Sequence, residues 1–444
     1  LKKWAFLQAL TSHPSFPTRS VPHSFYSFFP PMSFLFILFF ATLPFQFALS
    51  PAPGIDLHVS RLLAIGLSGF WVIHSLFRRK LLLPARTETM LLTSFLFLAS
   101  FSLFFAENVA WGVRKLAFLL SFTPIFFVAV SVFQETRSRE RFARWLVIGS
   151  VLSALIGIFQ FLLPFAIGLD PAMLFWQKHI LPIFSGITFS GTVSEFSSMV
   201  VNVGGVNFLR ASAFFPDPHI ASFFWGMTLP FAATLALRAN ERRSRIAFIF
   251  LFIIILTADI LTFSRGGYLA IGFTSIVCLS MFFSSMLRKH LPLFVLSTFL
   301  FAALLFIPNP LSARFFSSLD LSDHSTSGRL AIWNEATHII ATHPITGVGL
   351  GNYSNTVKPS ALYREPRYAH NIFLDIAAET GIINSVVFLL LLIFPIARTL
   401  KRSSKPLEFA ASASLLIFSV HSLFETPLYS VHILPLFLTL IAFV

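Results

Sequence analysis

Apolar runs of roughly 17 to 25 residues recur along this chain, each the length a helix needs to cross about 30 Å of hydrocarbon. They predict about twelve membrane-spanning helices, near 33–50, 59–77, 89–106, 111–133, 145–168, 217–237, 246–263, 267–287, 291–307, 371–396, 407–425 and 428–444. Two long connections break the rhythm, near 169–216 and 308–370, and loops of such length are usually functional or disordered. In the second, Leu330, Trp333, Ala336, Thr337 and Ile340 recur at helical spacing until His343-Pro344, where the proline disfavours continuation. This predicts an amphipathic helix lying near the membrane surface.

Basic residues orient the bundle. Arg78, Arg79, Lys80 and Arg86 share one connection, and Arg137, Arg139, Arg141 and Arg144 another two helices later. The clusters Arg238, Arg242, Arg243 and Arg245, then Arg288 and Lys289, then Arg398, Lys401, Arg402 and Lys405 continue the alternation. All five are expected on the cytoplasmic side with both termini, which puts the two long loops outside. The Ser- and Pro-rich residues 1–31 read as a tail, with Met32 the true start, or residue 1 as the product of a non-AUG start codon.

Composition agrees with the pattern. Of 444 residues 56% are hydrophobic and 11% charged, and the mean hydropathy is +0.80, values that exclude a soluble globule and define an all-α polytopic membrane protein. The net charge of +14 is accounted for by orientation, so nucleic acid is not expected as a partner. A single cysteine, Cys278, excludes an intrachain disulfide and multi-cysteine metal sites.

Ionisable groups beside membrane helices are functional candidates by default. On the outer face these are Arg210, Arg265, Arg329 and His370, with Asp217, His219, Asp259, Asn371, Glu379, His421 and Glu425 around them. A guanidinium is permanently charged and presents a fork matched to phosphate oxygens, so three of them on one face suggest a diphosphate site. Arg329 opens the predicted amphipathic helix, whose N-terminal N–H groups favour an anion, and Gly266 and Gly267 after Arg265 leave room for a ligand. The plainer alternatives are that Arg265 reaches lipid headgroups, Arg210 pairs with a loop acid and Arg329 is solvated. His370 carries an imidazole that accepts or donates a proton near neutral pH, or is satisfied by a backbone carbonyl. Gly381, eleven residues on, returns to the same helix face about 16 Å deeper and predicts a groove. His421 and Glu425, four apart at the end of one helix, share a face and either position the site or tie helices together. His324, His338 and His343 read as surface or capping residues. Gly347, Gly349 and Gly351 lack the strand context of a phosphate loop.

The segments Thr262-Phe-Ser-Arg265-Gly-Gly-Tyr-Leu269, Gly328-Arg329-Leu-Ala-Ile-Trp333, His343-Pro-Ile-Thr-Gly-Val-Gly-Leu-Gly351-Asn352, His370-Asn371 and Glu379-Thr-Gly381 together resemble the O-antigen ligase and polymerase superfamily over about 246–396. Arg265 followed after three residues by Leu269, and His370 followed after ten by Gly381, match the ligases' two short patterns. Arg210-Ala-Ser-Ala-Phe-Phe-Pro-Asp-Pro-His219 is similar to the family's segment before its sixth helix, although the family more often has Asn where His219 stands. The resemblance divides the chain into the tail 1–31, N-terminal helices 32–245 with the external loop 169–216, a ligase-like core 246–396 with the external loop 308–370 and its short helices, and C-terminal helices 397–444. It implies a plasma-membrane glycosyltransferase that moves a glycan from undecaprenyl diphosphate to an acceptor hydroxyl, such as that of a lipid A core, outside the membrane. His370 would be the catalytic base, Arg210, Arg265 and Arg329 would hold the diphosphate, and Asn371, Glu379 and Gly381 would support the site. No metal or other cofactor is expected, and a single displacement inverts the anomeric carbon. Two relatives stay open, a glycan polymerase and a protein O-oligosaccharyltransferase. So does a transporter of inorganic carbon or another solute, although a transporter places its polar site near the bilayer midplane.

Overall fold

A computed structural model describes residues 32–52, 55–77, 84, 86–195, 198–282, 324–361, 367–400 and 405–444. The tail 1–31, the apolar run 291–307 and the basic residues Arg78, Arg79, Lys80, Arg288, Lys289, Lys401 and Arg402 lie outside the described residues. Among those described, six stretches are long and apolar enough to cross a membrane: Val59–Phe77, Thr87–Phe105, Val109–Val132, Thr136–Ile167, Pro218–Arg238 and Ile382–Thr399. Met32–Phe45, Pro406–His421 and Ile433–Phe443 are shorter apolar helices.

In chain order the helices are α1 (Met32–Thr42), α2 (Val59–Phe77), α3 (Thr87–Phe101), α4 (Val109–Phe122), α5 (Pro124–Val132), α6 (Thr136–Ile167), the short α7 (Leu169–Phe175), α8 (Leu181–Ser185) and α9 (Ile187–Glu195), then α10 (Pro218–Arg238), α11 (Arg242–Ile260) and α12 (Arg265–Phe282). After them come α13 (His324–Thr342), α14 (Tyr353–Val357), α15 (Ile372–Thr380), α16 (Ile382–Leu400), α17 (Pro406–His421) and α18 (Ile433–Phe443). Two antiparallel hairpins join the helices: β1 (Ala48–Ala52) with β2 (Ile55–His58), and β3 (Val200–Val203) with β4 (Val206–Leu209). The first hairpin occupies the end of the run predicted as one helix over 33–50, because Pro44 ends α1 at Thr42 and the chain passes through a short turn at Leu43–Phe45. Helix α6 starts well before the predicted 145, so Arg137, Arg139, Arg141 and Arg144 lie in its first turns and not in a connection.

Helix α10 is the centre of the molecule and packs against α6, α11 and α17. Its neighbour α6 turns small residues toward it, including Ser150, Ser153, Ala154 and Gly157, all buried. Small side chains let backbones approach closely where no hydrophobic effect drives helices together. A Cβ at Gly157 would lie 2.6 Å from the Trp225 ring, while the Trp225 indole donates to Ser153 Oγ at 3.0 Å and Ser150 Oγ donates to Thr228 Oγ1 at 3.0 Å. Farther along, Phe36, Phe40, Phe133, Phe142 and Phe443 interlock, the Phe133 and Phe443 centroids 4.6 Å apart.

The predicted helix 371–396 is broken. Gly381 sits at φ +90° between α15 and α16, and a Cβ there would stand 2.0 Å from the Ile345 carbonyl oxygen. Opposite it Gly347, at φ +62°, packs against the Glu379 carbonyl. The two glycines let the turn after α13 sit directly on the α15–α16 break, and a cavity of about 430 Å³ runs beside it along Phe373, Leu374 and Ala377 of α15, facing Thr337 and Ile340 of α13. Helix α13 ends at Thr342, ahead of Pro344 as expected. It rests on α15 through Ala336 and Ile339, which join Val348, Tyr353, Ala369 and Ala378 in a small core of their own. Of the predicted face, Ala336 is buried and Ile340 packs against this core, while Leu330 and Thr337 are exposed.

Candidate active site

Four chain segments meet where α10, α12 and α15 begin and α11 and α17 end. The first, 210–217, is pinned from below by Gln160 of α6. Its Oε1 accepts from the backbone N–H groups of Ser212 and Ala213 at 2.8 Å each, and its Nε2 donates to Ser212 Oγ at 3.1 Å. A buried amide left unpaired costs of order 1–3 kcal/mol, so these bonds select one path for the segment. Asp217 ends it by accepting from His219 N and Ile220 N, at 2.7 and 2.9 Å, as the N-cap of α10. The second segment, Thr262-Phe263-Ser264, turns α11 into α12 and is tied to the first, since Ala211 N donates to the Leu261 carbonyl at 2.9 Å. In the third, Asn371 caps α15 through Phe373 N and Leu374 N, and Ala369 N donates to Asp375 Oδ1 at 3.0 Å. The fourth is the turn after α17, joined to the third by Ile372 N donating to the Ser422 carbonyl at 2.9 Å.

Three non-glycine residues of the described chain have positive φ: Ala213 at 48°, Phe263 at 51° and His370 at 47°. All three belong to these segments. Left-handed backbone is costly for such residues, about 1 kcal/mol or more each, and persists where surrounding bonds over-determine it.

Glu425 stands at the centre. One carboxylate oxygen, Oε2, accepts from His370 Nδ1 at 2.9 Å. The other, Oε1, accepts from Arg329 Nη2 at 2.7 Å and lies 3.7 Å from His219 Nδ1. A carboxylate only accepts, so His370 carries its proton on Nδ1 and offers Nε2 as a base. Burial works against the imidazolium of His370, but the charge of Glu425 and its hydrogen bond outweigh it and raise the pKa above the ordinary histidine value. Burial likewise opposes ionisation of Glu425, yet His219, His370 and Arg329 together hold its carboxyl far below the usual range. The Tyr368 ring lies against His370, centroids 4.6 Å apart.

Arg210 is buried beside this group. Its Nε donates to the Thr262 carbonyl at 2.6 Å and its Nη1 to the Ser198 carbonyl at 3.0 Å, while Nη2 lies 3.5 Å from His219 Nε2. A guanidinium only donates, so His219 accepts at Nε2 and bears its proton on Nδ1, 3.1 Å from Ser264 Oγ. Ser264 Oγ in turn lies 3.1 Å from His421 Nε2, and a directed chain runs Arg210, His219, Ser264, His421. Arg265 follows Ser264 as the first residue of α12 and is only 6% exposed, so it does not reach lipid headgroups.

Several sequence expectations change. Arg329 lies in the second turn of α13 and not at its start, so the helix N-terminus adds nothing at its position. It is paired, not solvated, and Arg210 donates to two carbonyls while its charge also acts on Asp217 of the same loop. Gly266 and Gly267 admit protein: a Cβ would meet His421 at the first and Ser222 at the second. Helix α17 ends at His421, so Glu425 lies beyond it in the turn and the two share no helix face; both nonetheless join the site. Asn371, Glu379 and Gly381 support the architecture without entering the cluster: Asn371 caps α15, Gly381 breaks the helix, and Glu379 accepts from Lys115 Nζ of α4 at 2.6 Å. The centrality of Glu425 and His219 was not predicted. The available signal was a lone carboxylate in an apolar stretch.

Residues 247–389 match the family described as O-antigen ligase. This match supports the resemblance of that segment to the O-antigen ligase and polymerase superfamily. Curated proteins give no match to the chain. The O-antigen ligase segment contains Arg265, Arg329 and His370, whereas Arg210 and His219 precede it and His421 and Glu425 follow it. The fold therefore completes the cluster with residues from both flanks of the ligase segment.

Proposed function

We propose that this protein is a membrane glycosyltransferase that moves a glycan from undecaprenyl diphosphate to an acceptor hydroxyl on the extracytoplasmic face of the plasma membrane. The observation that carries this reading is the carboxylate-bound His370 with Arg329 on the same carboxylate and Arg210 reaching it through His219, in a chain with an O-antigen ligase segment that also holds Arg265 next to Ser264 of the cluster. His370 Nε2 takes the proton of the acceptor hydroxyl as its oxygen bonds to the anomeric carbon. The bond from that carbon to the diphosphate oxygen breaks with its electron pair, and the diphosphate leaves as an anion. A single displacement of this kind inverts the anomeric carbon.

The arginines stabilise the charge that the diphosphate gains, an effect worth about 3–4 kcal/mol per well-placed group. Guanidinium groups then supply the positive field that a bound cation supplies elsewhere, and the reading assigns no metal. A lipid A core is the acceptor in the ligase form of the reaction; a carrier-linked glycan or a protein hydroxyl is the acceptor in the polymerase and protein-glycosylating forms. Purified protein given an undecaprenyl-diphosphate glycan and each acceptor in turn tests the proposal. Glycan transfer to one of them, with loss of transfer in His370→Ala, is expected. Solute uptake into proteoliposomes without carrier lipid, and no transfer, would overturn it.

A further inference from the structure

We propose that Glu425 is a positioning residue with two charges to hold, one oxygen orienting His370 and the other retaining Arg329, and that the donor diphosphate engages the site by taking Arg329 from it. The inference rests on the transfer reaction proposed above.

The two partners of Glu425 are held differently. His370 and Glu425 belong to one rigid unit, because Ile372 N donates to the Ser422 carbonyl in the turn that carries Glu425, and the backbone before and after His370 is fixed by Asp375 and Asn371. Arg329 comes from α13, a separate element, on a long side chain that remains about one-fifth exposed. Among the described residues its hydrogen bond is to Glu425 Oε1 alone, so most of its five donors are still available to phosphate oxygens. The Glu425 side chain is only 8% exposed and stays in place when Arg329 is drawn away.

The consequence for His370 follows from the charges that face it: Glu425 from the turn after α17, Arg329 from α13 and Asp375 from α15, with Tyr368 against the ring. Glu425 favours the imidazolium and Arg329 opposes it. A diphosphate that captures Arg329 removes the opposing charge and adds negative charge of its own. His370 becomes the stronger base once the donor is seated, and the site accepts its substrates donor first. Because Glu425 lies outside the ligase segment, this coupling joins the segment to the C-terminal helices.

Inorganic pyrophosphate binding to the purified full-length protein in lipid nanodiscs is the test. Glu425→Gln should bind pyrophosphate about tenfold more tightly, since Arg329 is no longer retained, while transfer becomes slower and its acidic limb moves to lower pH. The tightening should shrink when Glu425→Gln is made in an Arg329→Ala background. Glu425→Asp should restore part of the rate. Unchanged or weaker pyrophosphate binding, or tightening undiminished without Arg329, overturns the proposal. One arm needs no substitution: in histidine-labelled wild-type protein, the NMR titration of His370 should move to higher pH with pyrophosphate bound, and no movement or a fall overturns the proposal. A wild-type protein that binds pyrophosphate as expected but transfers no glycan defeats the proposed function and not the coupling.

Discussion

His370 separates a chemical role from a structural one. Its ring is held by a carboxylate at Nδ1 and its backbone is left-handed, which leaves Nε2 as the base in the proposed reaction. His370→Ala is expected to lower transfer by about 10²–10⁴-fold, the range of a lost general base, while a size-exclusion profile and thermal melt in detergent stay near wild type. The pH dependence has a definite sign. A base works when unprotonated, and Glu425 raises the pKa of His370, so transfer should fall as the pH drops through a value above the ordinary histidine pKa of about 6.5. A rate that stays flat to pH 5 would remove His370 from proton transfer. Arg265→Lys replaces a planar fork by a point charge, and a loss of about 10²-fold or more in kcat/KM is expected. Normal turnover in that variant would leave Arg265 a purely structural buried cation.

At the scale of elements, the break between α15 and α16 sets the position of His370. The apolar pattern from 371 to 396 reads as one helix because hydropathy does not register a left-handed residue; only the contact of Gly381 with the Ile345 carbonyl explains the division. Gly381→Ala strains the backbone and meets that oxygen, so a loss of more than about 1 kcal/mol is expected. A lower melting temperature, with partial transfer retained below it, would show this; unchanged melting would mean the turn carrying Ile345 moves aside. The end of α13 before Pro344 and the apolar stretches that form the six membrane-length helices were legible, because they depend on composition and on local backbone chemistry. The hairpins at 48–58 and 200–209 were hidden, since pairs of strands this short leave little periodicity. Glu425 was visible as a charge in an apolar stretch, but its meeting with His370 and Arg329 depends on tertiary structure.

At the scale of the whole molecule, the ends of the helices sort the charges. Helix α10 begins beside the site at Asp217 and His219 and runs 21 residues to Arg238, about 32 Å away. Helix α11 starts from Arg242 and Arg243 and returns to the site at Thr262. The same distant end gathers Arg139 of α6, paired with Glu408 at the start of α17. If Arg and Lys stay on the cytoplasmic side, the His370 cluster is expected to face outward, as the proposed function requires. The single cysteine makes this measurable. In a Cys278→Ser background, Arg367→Cys adds a thiol at an exposed position three residues before His370, and Glu241→Cys adds one at an exposed position between α10 and α11. A membrane-impermeant maleimide should label position 367 in intact spheroplasts and position 241 only after permeabilisation. The reverse pattern would place the cluster in the cytoplasm, and with it any reaction that His370 performs.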